Sequence, residues 1–186
     1  ALTELVLNYG TTVVLCSATQ PALESVLPAG FKATEIARNP SGLYTSLKRV
    51  HVQNLGKTDD CTIAERLSAE RQVLCIVNTR THARNLFERL GDTEGCYHLS
   101  AAMCPVHRTQ RLKAIRARLT AGDVCRVVST QLVEAGVDVD FPTVVRAIAG
   151  IDSIAQAAGR CNREGKRELG NVFVFIPAGG DGMSHI

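Results

Sequence analysis

Two periods alternate along this chain, and that alternation is its strongest constraint on folding. Short runs rich in branched apolar residues recur: "TTVVLC" (11–16), "RVHVQ" (49–53), "QVLCIV" (72–77), "CRVVS" (125–129), "TVVRAI" (143–148) and "NVFVFI" (171–176). Such runs suit strands buried on both faces, as in a parallel sheet. Stretches of helical period lie between them. "THARNLFERL" (81–90) places Ala83, Leu86, Phe87 and Leu90 on one stripe, and "RTQRLKAIRARL" (108–119) does so with Leu112, Ile115 and Leu119. "DSIAQAAGRCNRE" (152–164) opens on Asp152 or Ser153, either of them a good N-cap. Strands and helices alternating at this spacing predict an α/β fold with right-handed crossovers: a doubly wound, mainly parallel sheet with helices on both faces.

At 186 residues, with 45% apolar and 21% charged residues, the chain supports a sizeable core and is not globally disordered. The beginning stands apart: "TTVVLCSATQPALESVLPAG" reads as a strand, a polar turn and a short helix. "NPSG" (39–42) then breaks the pattern, so a boundary is expected between about residues 28 and 45. The tail "PAGGDGMSHI" reads as frayed or truncated.

Seven cysteines, at 16, 61, 75, 96, 104, 125 and 161, include no C-x-x-C pair, and Cys16, Cys75 and Cys125 lie within apolar runs. They read as reduced, core-filling thiols, which points to a cytoplasmic protein rather than a disulfide framework. The start "ALTELVLNYG" lacks the basic and apolar regions of a signal peptide. No run approaches the ~18 apolar residues of a membrane span, so no membrane partner is expected. The five histidines, at 51, 82, 98, 107 and 185, fit no metal-binding spacing, and no metal site is expected.

A net charge of +3 permits a nucleic-acid partner without requiring one. The run "HRTQRLKAIRAR" (107–118) contains no acid; it is either a solvated helix face or a track for a phosphate backbone. Trp is absent and aromatics make up 4%, so stacking on bases fits less well than backbone tracking. The segment "QAAGRCNREGK" (156–166) is more pointed. On a helix, Gln156, Arg160 and Arg163 fall within a sector of roughly 60°, with Gly159 at its edge. Two guanidiniums on one face form a fork for phosphate oxygens; the alternative is a surface helix with two solvated arginines.

Q-x-x-G-R-x-x-R resembles the last motif of superfamily 2 helicases. Three further stretches resemble motifs of those enzymes in the same order: "SAT" (17–19), "VLCIVNTR" (73–80) and "STQLVEAGVDVDF" (129–141). "SATQP", "HLSAAMCPVHR" (98–108), "EAGVDVDFP" and "DSIAQAAGRCNREG" are similar to the CRISPR-associated helicase–nuclease of type I systems. The resemblance implies a RecA-like fold. Residues 1–28 would be the last strand and helix of a first lobe, 29–45 a linker, and 46–186 the second lobe. It also implies ATP with Mg²⁺ as cofactor and single-stranded DNA as substrate. The first lobe in cis and a guide-RNA surveillance complex would be the partners. Arg160 and Arg163, with Gln156, would be the catalytic arginine-finger motif. Gly136 and Asp138 would contact the nucleotide, Asp138 by accepting from a ribose hydroxyl. Ser17, Ala18 and Thr19 would couple the two lobes.

The residues also have readings of their own. Ser129 and Thr130 end a buried strand, where hydroxyls and backbone N–H groups can bind a phosphate. Asn78 and Thr79 close another strand and suit sugar–phosphate contacts, or else cap the next helix. Ser100 and Arg108 are further candidates for backbone contacts. Asp138 can equally be a capping aspartate. The chain contains no G-x-x-x-x-G-K-[ST] and no D-E-x-H before "SAT". It is therefore expected to supply half of a composite site and not to hydrolyse ATP alone. The strand "TTVVLC" is expected to be displaced, to join a sheet edge, or to pair with another chain. An RNA helicase or other superfamily 2 translocase, or a non-catalytic RecA-like scaffold, are the alternatives. Gln156 stands where RNA helicases carry the start of H-R-x-G-R-x-x-R, which argues against the first of these.

Overall fold

Six strands form one all-parallel sheet in the order β1-β6-β5-β2-β4-β3. They are β1 (Val50–Thr58), β2 (Gln72–Ile76), β3 (Cys96–Leu99), β4 (Cys125–Ser129), β5 (Thr143–Ala147) and β6 (Gly170–Pro177). The computed structural model describes residues 2–14, 34–91, 93–133 and 137–179, in two compact units, Ala1–Leu47 and Lys48–Ile186. The sheet belongs to the second unit. Its helices are α3 (Asp60–Ala69), α4 (Arg80–Leu90), α5 (Pro105–Ala121) and α6 (Ile151–Ala158). This is the doubly wound α/β arrangement expected from the sequence.

Side chains alternate along each strand, which splits the core into two layers. On one face Leu74, Ile76, Val127, Val144 and Val172 pack with Ile115 of α5 and Ala157 of α6. On the other, Val73, Cys75, Val128, Val145 and Phe175 pack with Ile63 and Leu67 of α3 and Ala83 and Leu86 of α4. β2 and β5 are buried along their whole length, as the continuous apolar runs require. The four-residue "CYHL" of β3 and the weakly periodic "DCTIAERLSA" of α3 are elements the periodicity did not announce. α3 forms because the Asp59 carboxylate accepts from the Thr62 N–H at 2.9 Å, capping it, while Ile63, Ala64 and Leu67 turn inward.

The first unit contains α1 (Leu2–Tyr9) and α2 (Pro40–Ser46). "NPSG", expected as a break, is the start of α2. The Asn39 side chain accepts from the Gly42 N–H at 2.9 Å, and Pro40 takes the first helical position, where its missing N–H is not needed. Residues 11–14, the described part of the expected strand 11–16, lie in no strand or helix. Ser17, Ala18 and Thr19 lie outside the described residues, as does Gly136. Cys75, Cys96, Cys125 and Cys161 are buried free thiols, whereas Cys61 and Cys104 are exposed. No helix among the described residues is long and apolar enough to cross a membrane.

Candidate functional site

The arginine segment does not continue the helix as the spacing predicts. α6 starts from Gly150, which makes no side-chain cap, so neither Asp152 nor Ser153 is the N-cap. It ends at Ala158, not 164, and closes with i to i+3 bonds from Arg160 N to Ala157 O and from Cys161 N to Ala158 O, each 2.9 Å. Beyond that point the backbone is taken over by a neighbour. Cys161 forms an isolated parallel bridge with Phe141, flanked by bonds from Phe141 N to Arg160 O and from Asn162 N to Phe141 O, both 2.9 Å. Donors that would extend the helix are spent on this pairing. Gln156, Arg160 and Arg163 therefore do not share a helix face. Gln156 is half-buried in the last turn of α6, Arg160 is 8% exposed, and Arg163 is exposed on a loop.

Arg160 points inward, its Nε donating to Val133 O at 2.8 Å. Burial, then the charge of Arg163, push its guanidinium below the ordinary value, while Asp138 pulls the other way. Arg163 presents its guanidinium to solvent beside Asp138, with Nε 3.3 Å from Oδ1. Its N–H donates to Asp140 Oδ1 at 2.7 Å, and its carbonyl accepts from the Arg49 guanidinium. Below the loop, the Cys161 thiol donates to Pro142 O at 3.3 Å, and burial pushes it up to about 12. The start of β6 passes so close that a Cβ on Gly170 would lie 2.5 Å from Cys161 Sγ, a contact only glycine allows.

The other candidates stand at the opposite edge of the sheet. β2, β4 and β3 are neighbours, so the residues after their carboxyl ends form one row about 10 Å long. Thr79 caps α4, its Oγ1 accepting from the His82 N–H at 3.1 Å. Asn78 donates to Ile148 O at 2.8 Å and accepts from Arg146 Nη1 at 2.6 Å, so its amide ties β2 to β5. Ser129 is fully buried, its Oγ donating to Thr130 O at 2.9 Å; Thr130 is 8% exposed. Ser100, 6% exposed, accepts from the Ala102 N–H at 3.3 Å. Arg108 is half-buried near the start of α5.

Asp138 does not join this row. It precedes β5, whereas Thr130 follows β4, and each of these strands has five residues. Thr130 and the Asp138–Arg163 pair thus lie at opposite ends of the strands. Residues 131–137 connect them in sequence. α5 runs back alongside, and its Arg116 donates to Asp138 O at 2.8 Å. The acid-free helix is therefore not simply a solvated face. Arg116 holds this segment, Arg118 pairs with Glu94 at 2.5 Å, and Arg111 donates to His107 Nε2 at 3.1 Å. Among the described residues no group of three or more His, Cys, Asp or Glu is placed to hold a metal. Sequence reasoning passed over Asp140, Asn162, Arg49 and Arg116. Only Asn162 left a signal: an Asn three before Gly165, as in a turn.

Residues 69–166 match the model of the family described as CRISPR-associated nuclease/helicase Cas3, C-terminal. The chain is 28% identical over 184 residues to a CRISPR-associated nuclease/helicase Cas3 of Methanothermobacter thermautotrophicus, covering 89% of this chain and 22% of that protein. To its counterpart in Haloferax volcanii it is 53% identical over 57 residues, 30% of this chain and 6% of the other. The chain thus spans about a fifth or less of these relatives. The crystal structure of T. fusca Cas3 with ATP superposes with a TM-score of 0.59 at 20% identity, over 72% of this chain and 18% of that one, which shows a shared fold. With the match covering more than half of the chain, on a sheet of the same fold, this chain belongs to the Cas3 family of CRISPR-associated nuclease/helicases, as its C-terminal helicase lobe.

Proposed function

We propose that this chain is the second motor lobe of an ATP-dependent translocase acting on single-stranded DNA in type I CRISPR interference. In this reading residues 46–186 are the lobe and 29–45 a linker from the first RecA-like lobe in cis. A guide-RNA surveillance complex delivers the DNA. The observation that carries the proposal is the exposed Arg163 guanidinium beside the exposed Asp138 carboxylate, at the sheet edge opposite the Thr130 row.

Bound ATP with Mg²⁺, held mainly by the first lobe, would supply a phosphoryl group for transfer to water. The residues here fit one side of it. Arg163 is charged, exposed and held on a short loop, so it can neutralise charge developing on a phosphoryl group. Asp138 is an acceptor suited to a ribose hydroxyl. Arg160 braces the loop against Val133 rather than reaching outward, and Gln156 lines the same turn. At the far edge Thr79, Ser100, Thr130 and Arg108 contact the DNA backbone, with Asn78 and Ser129 holding the strand ends that carry them. Segment 131–137, including Gly136, links the two ends, and Ser17 to Thr19 couple the lobes.

The test is Arg163→Ala in the full-length protein. DNA-stimulated ATP turnover should fall by roughly 10³ or more, with single-stranded DNA affinity within threefold of the parent. Turnover surviving within tenfold would sink the finger assignment.

A further inference from the structure

We infer that Asn162 is the positioning residue that fixes Arg163 for this reaction, by pinning both ends of the loop that carries it. The inference rests on the finger reading of Arg163. Asn162 is 1% exposed and, among the described residues, is the one non-glycine residue with positive φ, +47°. Left-handed backbone strains most side chains, and Asn bears it better than most. That conformation turns the chain out of the Phe141 pairing and starts a tight turn, closed by Gly165 N donating to Asn162 O at 3.0 Å.

The side chain then closes the loop. Its Oδ1 accepts from Arg167 N at 3.0 Å, and its Nδ2 donates to Arg167 O at 2.8 Å. The carboxamide thus meets both backbone groups of Arg167, as a neighbouring strand would, and residues 163–166 are held as a closed loop between them. Nδ2 also donates to Arg49 O at 3.0 Å, which fastens the loop to the start of β1. Arg49 answers from the other side, its guanidinium donating to Arg163 O. Every polar group of the Asn162 side chain is engaged with backbone, and none faces solvent. Arg163, the first residue of the loop, gains its place from these bonds. An exposed ion pair with Asp138 would not hold it, since such pairs contribute little.

Asn162→Gly tests this best. It keeps the left-handed backbone and removes only the carboxamide. Asn162→Asp adds a near-isosteric variant that keeps Oδ1 and loses both donors. Two readouts are taken on the full-length protein. The first, without nucleotide, is amide hydrogen exchange. The amides of Arg163 and Arg167 should exchange at least tenfold faster in Asn162→Gly, while those of β2 and β5 stay unchanged. The second is DNA-stimulated turnover. Here kcat should fall at least tenfold with the KM for ATP within threefold, in both variants. Unchanged exchange, or faster exchange with kcat within threefold of the parent, overturns the inference while Arg163→Ala still reports on the finger. Faster exchange spreading through β2 and β5 marks a merely structural residue and also overturns it. If Arg163→Ala keeps its turnover, the finger reading fails and the inference with it.

Discussion

His98 on β3 is half-buried, its ring 5.7 Å from that of Phe87, and its Nε2 is buried with no hydrogen-bond partner among the described residues. Burial, then the charge of Arg84, push its pKa below the ordinary value. In the unfolded chain a histidine takes up its proton near 6.5. The folded form resists until lower pH, so between the two the unfolded state binds more protons. Stability from this residue is therefore complete above about pH 6.5 and is lost as the pH falls below it. The Tm of the 186-residue polypeptide should drop more steeply between pH 7 and 5 than that of His98→Leu. Parallel curves would show that another group sets the acid response. At this scale the sequence spoke unevenly. Arg160 and Arg163 stood out by type and spacing, but their opposite orientations did not. Those follow from Val133 and Asp138, which chain spacing cannot place beside them. Arg146, fully buried and hydrogen-bonded to Asn78, lies inside an apolar run that signals only a strand.

At the scale of elements, the approach of β6 to the arginine loop depends on Gly170. A methyl there would sit 2.5 Å from Cys161 Sγ, 3.0 Å from Asn162 Cβ and 3.2 Å from Pro142 O. Gly170→Ala should cost about 1–3 kcal/mol, the usual penalty of overpacking. Cys161→Ala combined with it should cost less than Gly170→Ala alone, because the sulfur and the new methyl compete for one space. Urea denaturation of the four forms in a cycle measures this. Additive costs would mean that the clash is relieved elsewhere. The same region explains what the sequence could not tell about elements. β2, β4, β5 and β6 were legible because strands covered on both faces carry runs of branched apolar residues, interrupted here only by single polar residues such as Arg126 and Arg146. β3, four residues long, offered too little pattern. α6 is overextended in the sequence reading because Gln156, Arg160 and Arg163 recur at helical spacing. The pairing of Cys161 with Phe141, twenty residues away in sequence, takes their backbone instead.

For the whole molecule, the proposed division of labour between the two edges of the sheet predicts what the isolated chain can do. The Asp138–Arg163 pair offers charge and an acceptor, but a phosphate must be held opposite it by other groups. Backbone amides of a glycine-rich loop opening a helix would do so. The chain has one Gly-Lys-Thr run, at 56–58, and it forms the last three residues of β1, paired with Phe175, Ile176 and Pro177 of β6. These residues pair with β6 and stop before the first turn of α3, which Asp59 caps, so they form no cradle. A finger contributes roughly 10³ to 10⁵ in rate only when the phosphate is already in place. The purified 186-residue polypeptide should therefore release no phosphate from ATP above background, with or without single-stranded DNA. It should still bind DNA through the Thr130 edge, with an affinity that weakens as salt rises. Phosphate release and DNA binding measured on one preparation separate these functions. Turnover that disappears in Arg163→Ala would mean that this chain already contains a complete nucleotide site, and the division of labour between the edges would then be wrong.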